Sequence, residues 1–221
     1  MKQQSGRRMP RRITQLLVGL FLYGIGIAFI VRGMIGAAPW DVLTQGIATH
    51  VPLSFGTITI LTSIVVLLLW IPLRQKPGVG TVLNAVLVGP AADFGFLLIP
   101  ETDLLLVRVT YFVIGLLVLS GATGLYIGAK FGPGPRDGLM TGLHRRSGWP
   151  IWTVRTGIEV TVVAIGWALG GNVGIGTVAF ALLVGPLCQF FMRLFDVRLP
   201  ADDPRAKGTE STSTGEITTV G

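Results

Sequence analysis

Six apolar stretches succeed one another along the chain, separated by short polar segments. They run over about 13–33, 53–73, 79–99, 109–129, 151–169 and 173–192. A hydrocarbon layer about 30 Å thick needs roughly 20 apolar residues in a helix. Within such a layer a helix also satisfies its own backbone groups. The pattern predicts an all-α, polytopic membrane protein with six transmembrane helices. The first run follows a basic N-terminus, but no small-residue cleavage site follows it and five more runs come after. It reads as a retained helix, not a signal peptide.

Lysine and arginine in the short connections set the orientation. Lys2, Arg7, Arg8, Arg11 and Arg12 precede the first run; Arg74 and Lys76 join the second to the third. Lys130, Arg136, Arg145 and Arg146 join the fourth to the fifth, and Arg193, Arg198, Arg205 and Lys207 follow the sixth. The alternate connections are poor in positive charge, with Arg32 after the first run, Glu101, Asp103 and Arg108 before the fourth, and the uncharged Gly170-Gly171-Asn172 before the sixth. All the basic segments fall on one side, which places both termini in the cytoplasm of a multi-pass cell-membrane protein. Trp70, Trp149, Trp152 and Trp167 lie near span ends, where amphipathic rings are favoured.

Composition narrows the class. The chain has 221 residues, half of them hydrophobic and only 13% charged, where a soluble domain carries about 25%. The net charge of +7 is no nucleic-acid footprint, because the basic residues sit between apolar runs without interleaved aromatics. Cys188 is the single cysteine and the two histidines, His50 and His144, lie far apart. No metal, cofactor or nucleic acid is expected, and neither is a catalytic constellation. The polar segment from 199 to 221 is expected to be a disordered cytoplasmic tail.

The sequence also repeats itself. Shifted by 96 residues, 23 of the 87 positions from Arg12 to Leu98 are identical to their partners. Gly36, Pro39, Asp41, Leu43 and Gly46 pair with Gly132, Pro135, Asp137, Leu139 and Gly142. The division is a basic N-terminus at 1–11, a first three-span repeat at 12–100 and a second at 101–198. Three spans is an odd number, so the two halves enter the membrane in opposite directions, an inverted-topology plan found in many transporters. Trp40 and Thr49-His50 in the first copy correspond to Arg136 and Arg145-Arg146 in the second, as the orientation rule predicts for one element placed outside and inside.

Three elements are candidates for function. The first is Gly-x-x-Pro-x-Asp, at Pro39/Asp41 and Pro135/Asp137. Proline suits the first helical position and an acid suits the first turn. Two readings stand: an interfacial helix, or a half-helix at roughly 39–50 and 135–147 that dips into the protein from each side. The second is the pair of Gly-x-Gly-Thr helix starts, each followed by Gly-Pro at Gly89/Pro90 and Gly185/Pro186. Those prolines are expected to kink their helices, for a transport site or for packing. The third is the set of intramembrane polar residues: Asp93, the Arg155/Glu159 pair, Asn84 and Gln189. Arg155 and Glu159 are four apart and can pair along one face. Asp93 and Gln189 are repeat partners and are candidates to face each other across the repeat axis; Asp93 can equally serve only to bond a neighbouring helix.

Taken together, Ala38-Pro39-Trp40-Asp41-Val42-Leu43, Gly134-Pro135-Arg136-Asp137-Gly138-Leu139-Met140, Val154-Arg155 with Glu159, Gly166-Trp167-Ala168-Leu169-Gly170-Gly171, and Val173-Gly174-Ile175-Gly176-Thr177 with Gly185-Pro186 resemble the YczE/YyaS/YitT family of bacterial membrane proteins. The likeness covers about 12–198. It implies a bacterial inner-membrane protein of about six spans and supplies no established substrate or catalytic residue. The first copy departs from a glycine-rich approach to its Pro-Trp-Asp, having Ala37-Ala38.

The leading expectation is a small permease or channel-like transporter of a small solute or ion. Its site would be lined by the two Pro-x-Asp segments, the Gly-Pro elements and Arg155/Glu159. One alternative is a non-transporting scaffold or regulator that docks a protein partner on the basic cytoplasmic segment 136–146. Another is the substrate-capturing membrane subunit of a multi-subunit importer. An enzyme is not expected.

Overall fold

The computed structural model describes residues 2–195, with side chains from Met9 onward. The tail at 199–221, with Arg198, Arg205 and Lys207, lies outside the described residues. Every regular element among the described residues is an α-helix. In order they are α1 (Lys2–Arg32), α2 (Pro39–Ala48), α3 (Phe55–Trp70), α4 (Val79–Leu98), α5 (Leu105–Gly128), α6 (Pro135–Ser147), α7 (Ile151–Ala168) and α8 (Ile175–Phe195).

Four of these are long and apolar enough to cross a membrane: Met9–Arg32 of α1, then α4, α5 and α8. The run at 53–73 resolves into the 16-residue α3, about 24 Å long at 1.5 Å per residue. The run at 151–169 resolves into α7, whose apolar character is diluted by Arg155 and Glu159. The Pro-x-Asp segments are the short helices α2 and α6, each with its proline in the first turn.

The centre of the fold is the antiparallel pair α1 and α5, which small residues allow to approach closely. A Cβ at Gly19 would lie 2.8 Å from the Tyr126 nitrogen, and one at Gly115 would lie 2.8 Å from the Ile30 nitrogen. Those two contacts are the same contact seen from each half, since 19 pairs with 115 and 30 with 126. α4 packs beside α1 and α8 beside α5. The short helices cross over: α2 packs on α7 and α6 packs on α3. Each half therefore holds the short helix of the other.

The crossing is fastened by reciprocal main-chain bonds. Gly80 N–H donates to the Phe131 carbonyl at 2.9 Å, and its repeat mate Gly176 N–H donates to the Ile35 carbonyl at 2.8 Å. Ile35 and Phe131 are themselves mates. The turns that present these carbonyls share an unusual backbone, with positive φ at Met34 (52°) and Lys130 (56°), then at Gly36 (122°) and Gly132 (118°). Only glycine adopts the latter values without strain. The approach residues Ala38 and Gly134 are both extended, with φ of −62° and −63°. The glycine that the first copy lacks is therefore not required there.

Side-chain volume is traded between the halves. The Trp70 ring lies over Gly138, where a Cβ would sit 1.9 Å from it. At the mated contact Gly166 lies under Val42 of α2, where a Cβ would sit 2.7 Å from the Val42 carbonyl carbon. Large-on-small in one half becomes small-under-large in the other, so the packing is kept while identity is lost.

One seam breaks the correspondence. α3 packs along α4, with a Cβ at Gly89 meeting the Gly56 carbonyl at 2.4 Å. α7 and α8 form no comparable seam, and a Cβ at Gly185, the mate of Gly89, would meet nothing within 4 Å. α4 and α8 run through Pro90 and Pro186 as single helices, with both prolines on exposed positions.

Gly36→Ala is expected to lower stability by roughly 2–4 kcal/mol, because it adds a strained φ to a collision with the Thr177 backbone. Gly157→Ala, in open space on α7, should change it by less than about 1 kcal/mol. Thermal unfolding of the two purified variants in one detergent checks the contrast.

Candidate functional site

Pro39 and Pro135 are buried, and the first turns of α2 and α6 lie side by side in the interior. The mates Trp40 and Arg136 meet there: the Arg136 guanidinium lies 5.2 Å from the centre of a Trp40 ring. A guanidinium over an indole face is attracted by the ring's quadrupole. Arg136 Nη1 also lies 3.6 Å from Asp41 Oδ1, with the Asp41 side chain 1% exposed and that of Arg136 19% exposed. Asp137 Oδ2 accepts a hydrogen bond from the Tyr126 hydroxyl at 3.1 Å. Tyr126 in turn packs edge-on against Tyr23, with centroids 5.9 Å apart.

The local sequence explains each placement. Proline at the first helical position starts both helices where an N–H would have no partner. The aspartates then sit in first turns, where the helix dipole favours negative charge. Trp70 fixes the start of α6 by donating from Nε1 to the Pro135 carbonyl at 3.0 Å. At its other end α2 is tied to α7 by the Thr49 hydroxyl, which donates to the Leu169 carbonyl at 2.9 Å.

A cavity of about 260 Å³ opens beside this junction, between α1, α2, α5, α6, α7 and α8. Trp40, Arg136 and Asp137 line it from the short helices, and Arg155 and Glu159 from α7. Arg155 Nε donates to Glu159 Oε1 at 2.9 Å, as the four-residue spacing predicts. Gln189 lines the same cavity from α8, where its residue is exposed. A smaller cavity of about 50 Å³ lies across the Tyr23, Tyr126, Arg136 and Asp137 wall, lined by Thr59, Ser63 and Asn84. Trp40 Nε1 and both Asp41 carboxylate oxygens are buried without a hydrogen-bond partner.

The junction thus gathers Pro39, Asp41, Pro135, Asp137, Arg155, Glu159, Asn84 and Gln189. Asp93 stands apart. It bonds the Gly56 N–H at 2.8 Å in the α3–α4 seam and does not turn toward a mate across the repeat axis. Gly89 lies in that seam as well, and Pro90 and Pro186 line neither interior cavity.

Arg136 corrects the sequence reading most sharply. Its place between two apolar runs reads as a basic residue of a cytoplasmic connection, yet it lies inside against Asp41 and Trp40. Being charged in a first turn, directly before Asp137, was the available signal. Tyr23 and Tyr126 give no sequence signal because a lone aromatic in an apolar run reads as core, and Trp70, which reads as a ring at a span end, is instead buried and bonds the Pro135 carbonyl.

Arg136→Gln is expected to destabilise the protein by about 3–5 kcal/mol, since it leaves a buried carboxylate without its cation. Adding Asp41→Asn should recover most of that loss. A double-mutant cycle on thermal stability reads the coupling directly.

Comparison with known proteins places the chain. A family model described as a family of unknown function, DUF6198, matches residues 10–193. An uncharacterized protein of Haemophilus influenzae is 38% identical over 190 residues, covering 86% of this chain and 87% of that one. The uncharacterized membrane protein YczE of Bacillus subtilis is 30% identical over 181 residues, covering 81% and 84%. YyaS of the same organism, also uncharacterized, is 26% identical over 183 residues, covering 81% and 91%. No solved structure matches. With a family model spanning nearly all of the described helices and relatives matched along most of their length, this chain belongs to the DUF6198 family and is similar to the membrane protein YczE and to YyaS.

Proposed function

We propose that the protein is a small permease or channel-like transporter of a small solute or ion in the bacterial inner membrane, and not an enzyme. The single observation that carries this reading is the junction of α2 and α6. Two helices from different halves start beside one another in the interior, next to a cavity that holds carboxylates, guanidiniums and aromatic rings. Short helices whose N-terminal ends converge on an interior site are a recurring transporter device. Charged groups inside a membrane protein are costly, and they mark solute paths by default.

In this reading α1, α3, α4, α5, α7 and α8 cross the membrane, and both termini are cytoplasmic. The halves 12–100 and 101–198 are inverted copies, and α2 and α6 are half-helices entering from opposite faces. Three features support it: the antiparallel α1–α5 pair, the burial of α2 along most of its length, and the basic end of α6 at His144, Arg145 and Arg146. In a cysteine-free background, Ser147→Cys should react with a membrane-impermeant thiol reagent only from the cytoplasmic side. Glu101→Cys should react only from the outside; the reverse pattern inverts the topology.

Proteoliposomes test transport. Flux of at least one member of a broad set of small ions and polar metabolites should exceed that of empty vesicles. It should fall to background in an Asp41→Asn/Asp137→Asn variant that still folds. No flux difference across the set contradicts the proposal.

One surface favours a second reading, a regulatory membrane partner. A groove of about 770 Å³ at the cytoplasmic end brings Arg74, Arg145 and Arg146 together, with Arg146 Nη1 donating to the Pro72 carbonyl at 2.6 Å. Absence of flux together with a stoichiometric partner lost on Arg145→Ala/Arg146→Ala would select it.

A further inference from the structure

The two interior cavities are lined by mated residues. Thr59, Ser63, Asn84 and Val88 of the smaller one correspond, 96 positions on, to Arg155, Glu159, Phe180 and Val184 of the larger. The same holds for the short helices: Pro135 and Arg136 border the smaller, and Pro39 and Trp40 the larger. Both share the wall of Tyr23, Tyr126, Arg136 and Asp137. One space thus occurs twice, once wide at about 260 Å³ and once contracted to about 50 Å³.

The cause of the contraction is visible. Beside the smaller cavity α3 is drawn against α4, with Gly56 on Gly89 and the Gly56 N–H held by Asp93. Beside the larger, the mated positions are Trp152, Gly185 and Gln189, and the helices stand apart. Gly185 keeps the bare backbone against which its mate Gly89 closes. Its face is empty, with nothing within 4 Å of an added Cβ.

From these mated cavities we infer that the protein exchanges between two states in which the wide and contracted cavities swap. α7 closes on α8 at Gly185 while α3 leaves α4, and a second solute cavity opens at Thr59, Ser63 and Asn84 toward the opposite face. The inference rests on the permease reading only in calling the space a solute path. The exchange itself is a statement about two nearly equivalent packings of one chain, which ligands or substitutions can repopulate.

Charge explains which state is favoured. The wide cavity holds the Arg155/Glu159 pair, with side chains 49% and 23% exposed, whereas the contracted one holds neutral Thr59 and Ser63 at the mated positions. Closing α7 on α8 takes water from an ion pair, which costs more than closing over hydroxyls. Arg155→Thr/Glu159→Ser, which writes the first half's residues into the second, should shift the population toward the swapped state.

Thiol accessibility in oriented membrane vesicles tests this without any substrate. Cys188 lines the wide cavity and should react with an impermeant maleimide from the cytoplasmic side. In a Cys188→Ala background, Ser63→Cys should react slowly and from the outer side. The rate should rise when Arg155→Thr/Glu159→Ser is added, and Cys188 in that double variant should lose reactivity. Asp93→Ala, which releases the Gly56 bond, should also raise Ser63→Cys labelling. Labelling of Cys188 with none at Ser63→Cys from the outer side, in all backgrounds, overturns the exchange; flux would then belong to a fixed cavity. Swapped labelling without flux of any solute upholds the exchange and removes the permease reading.

Discussion

Everything distinctive in this fold depends on one constraint: a chain that starts helices inside an apolar protein must still satisfy the backbone groups those starts expose. The Ile35 and Phe131 carbonyls, left by the turns before α2 and α6, accept from the Gly176 and Gly80 N–H groups at the starts of α8 and α4. Each half completes the other. Thr81 reinforces one side, its hydroxyl donating to the Pro133 carbonyl at 2.7 Å and accepting from the Gly78 N–H at 3.2 Å. Because the bonds are reciprocal, neither half is a self-sufficient unit, and the glycines at 36 and 132 are where the chain turns sharply enough to offer the carbonyls.

With the short helices anchored that way, their first turns are brought into the interior, and the electrostatics follow. Asp41 and Arg136 sit where desolvation penalises either charge alone, so each is tenable because the other is present. The Trp40 ring gives the guanidinium a second, apolar support. Around this fixed junction the outer helices are unequal: one seam is closed by bare glycines and a carboxylate-to-backbone bond, the other open over an ion pair. A centre flanked by two seams of unequal closure is the arrangement that the proposed transport would use.

The sequence made the helical class, the apolar runs and the repeat legible, because each is written in long-range regularity: 20-residue apolar periods and a constant 96-residue offset. It also pointed to the short helices and their acids through Pro-x-Asp. It did not show what faces what. Arg136 looks like an orientation signal because charge next to an apolar run is normally outside, and only the crossing of α6 onto α3 carries it in. Asp93 looks like a site residue because a lone acid in an apolar helix is costly, but its cost is met by one backbone N–H in the adjoining helix. The Trp70/Gly138 and Gly166/Val42 contacts are hidden for another reason. Volume is conserved there across the pair while identity at each position is not, so alignment of the halves scores them as mismatches.

The central claim is that α2 and α6, from different halves, begin beside each other inside the protein. Trp40→Cys/Arg136→Cys in a Cys188→Ala background, treated in native membranes with a short bifunctional thiol reagent, measures it most directly. Crosslinking within one chain, detected after cleavage between the two positions, is the predicted result. If the short helices lay instead on opposite membrane faces they would be separated by about 30 Å of hydrocarbon, and the absence of any intramolecular crosslink in a folded, labelled double variant would contradict the account.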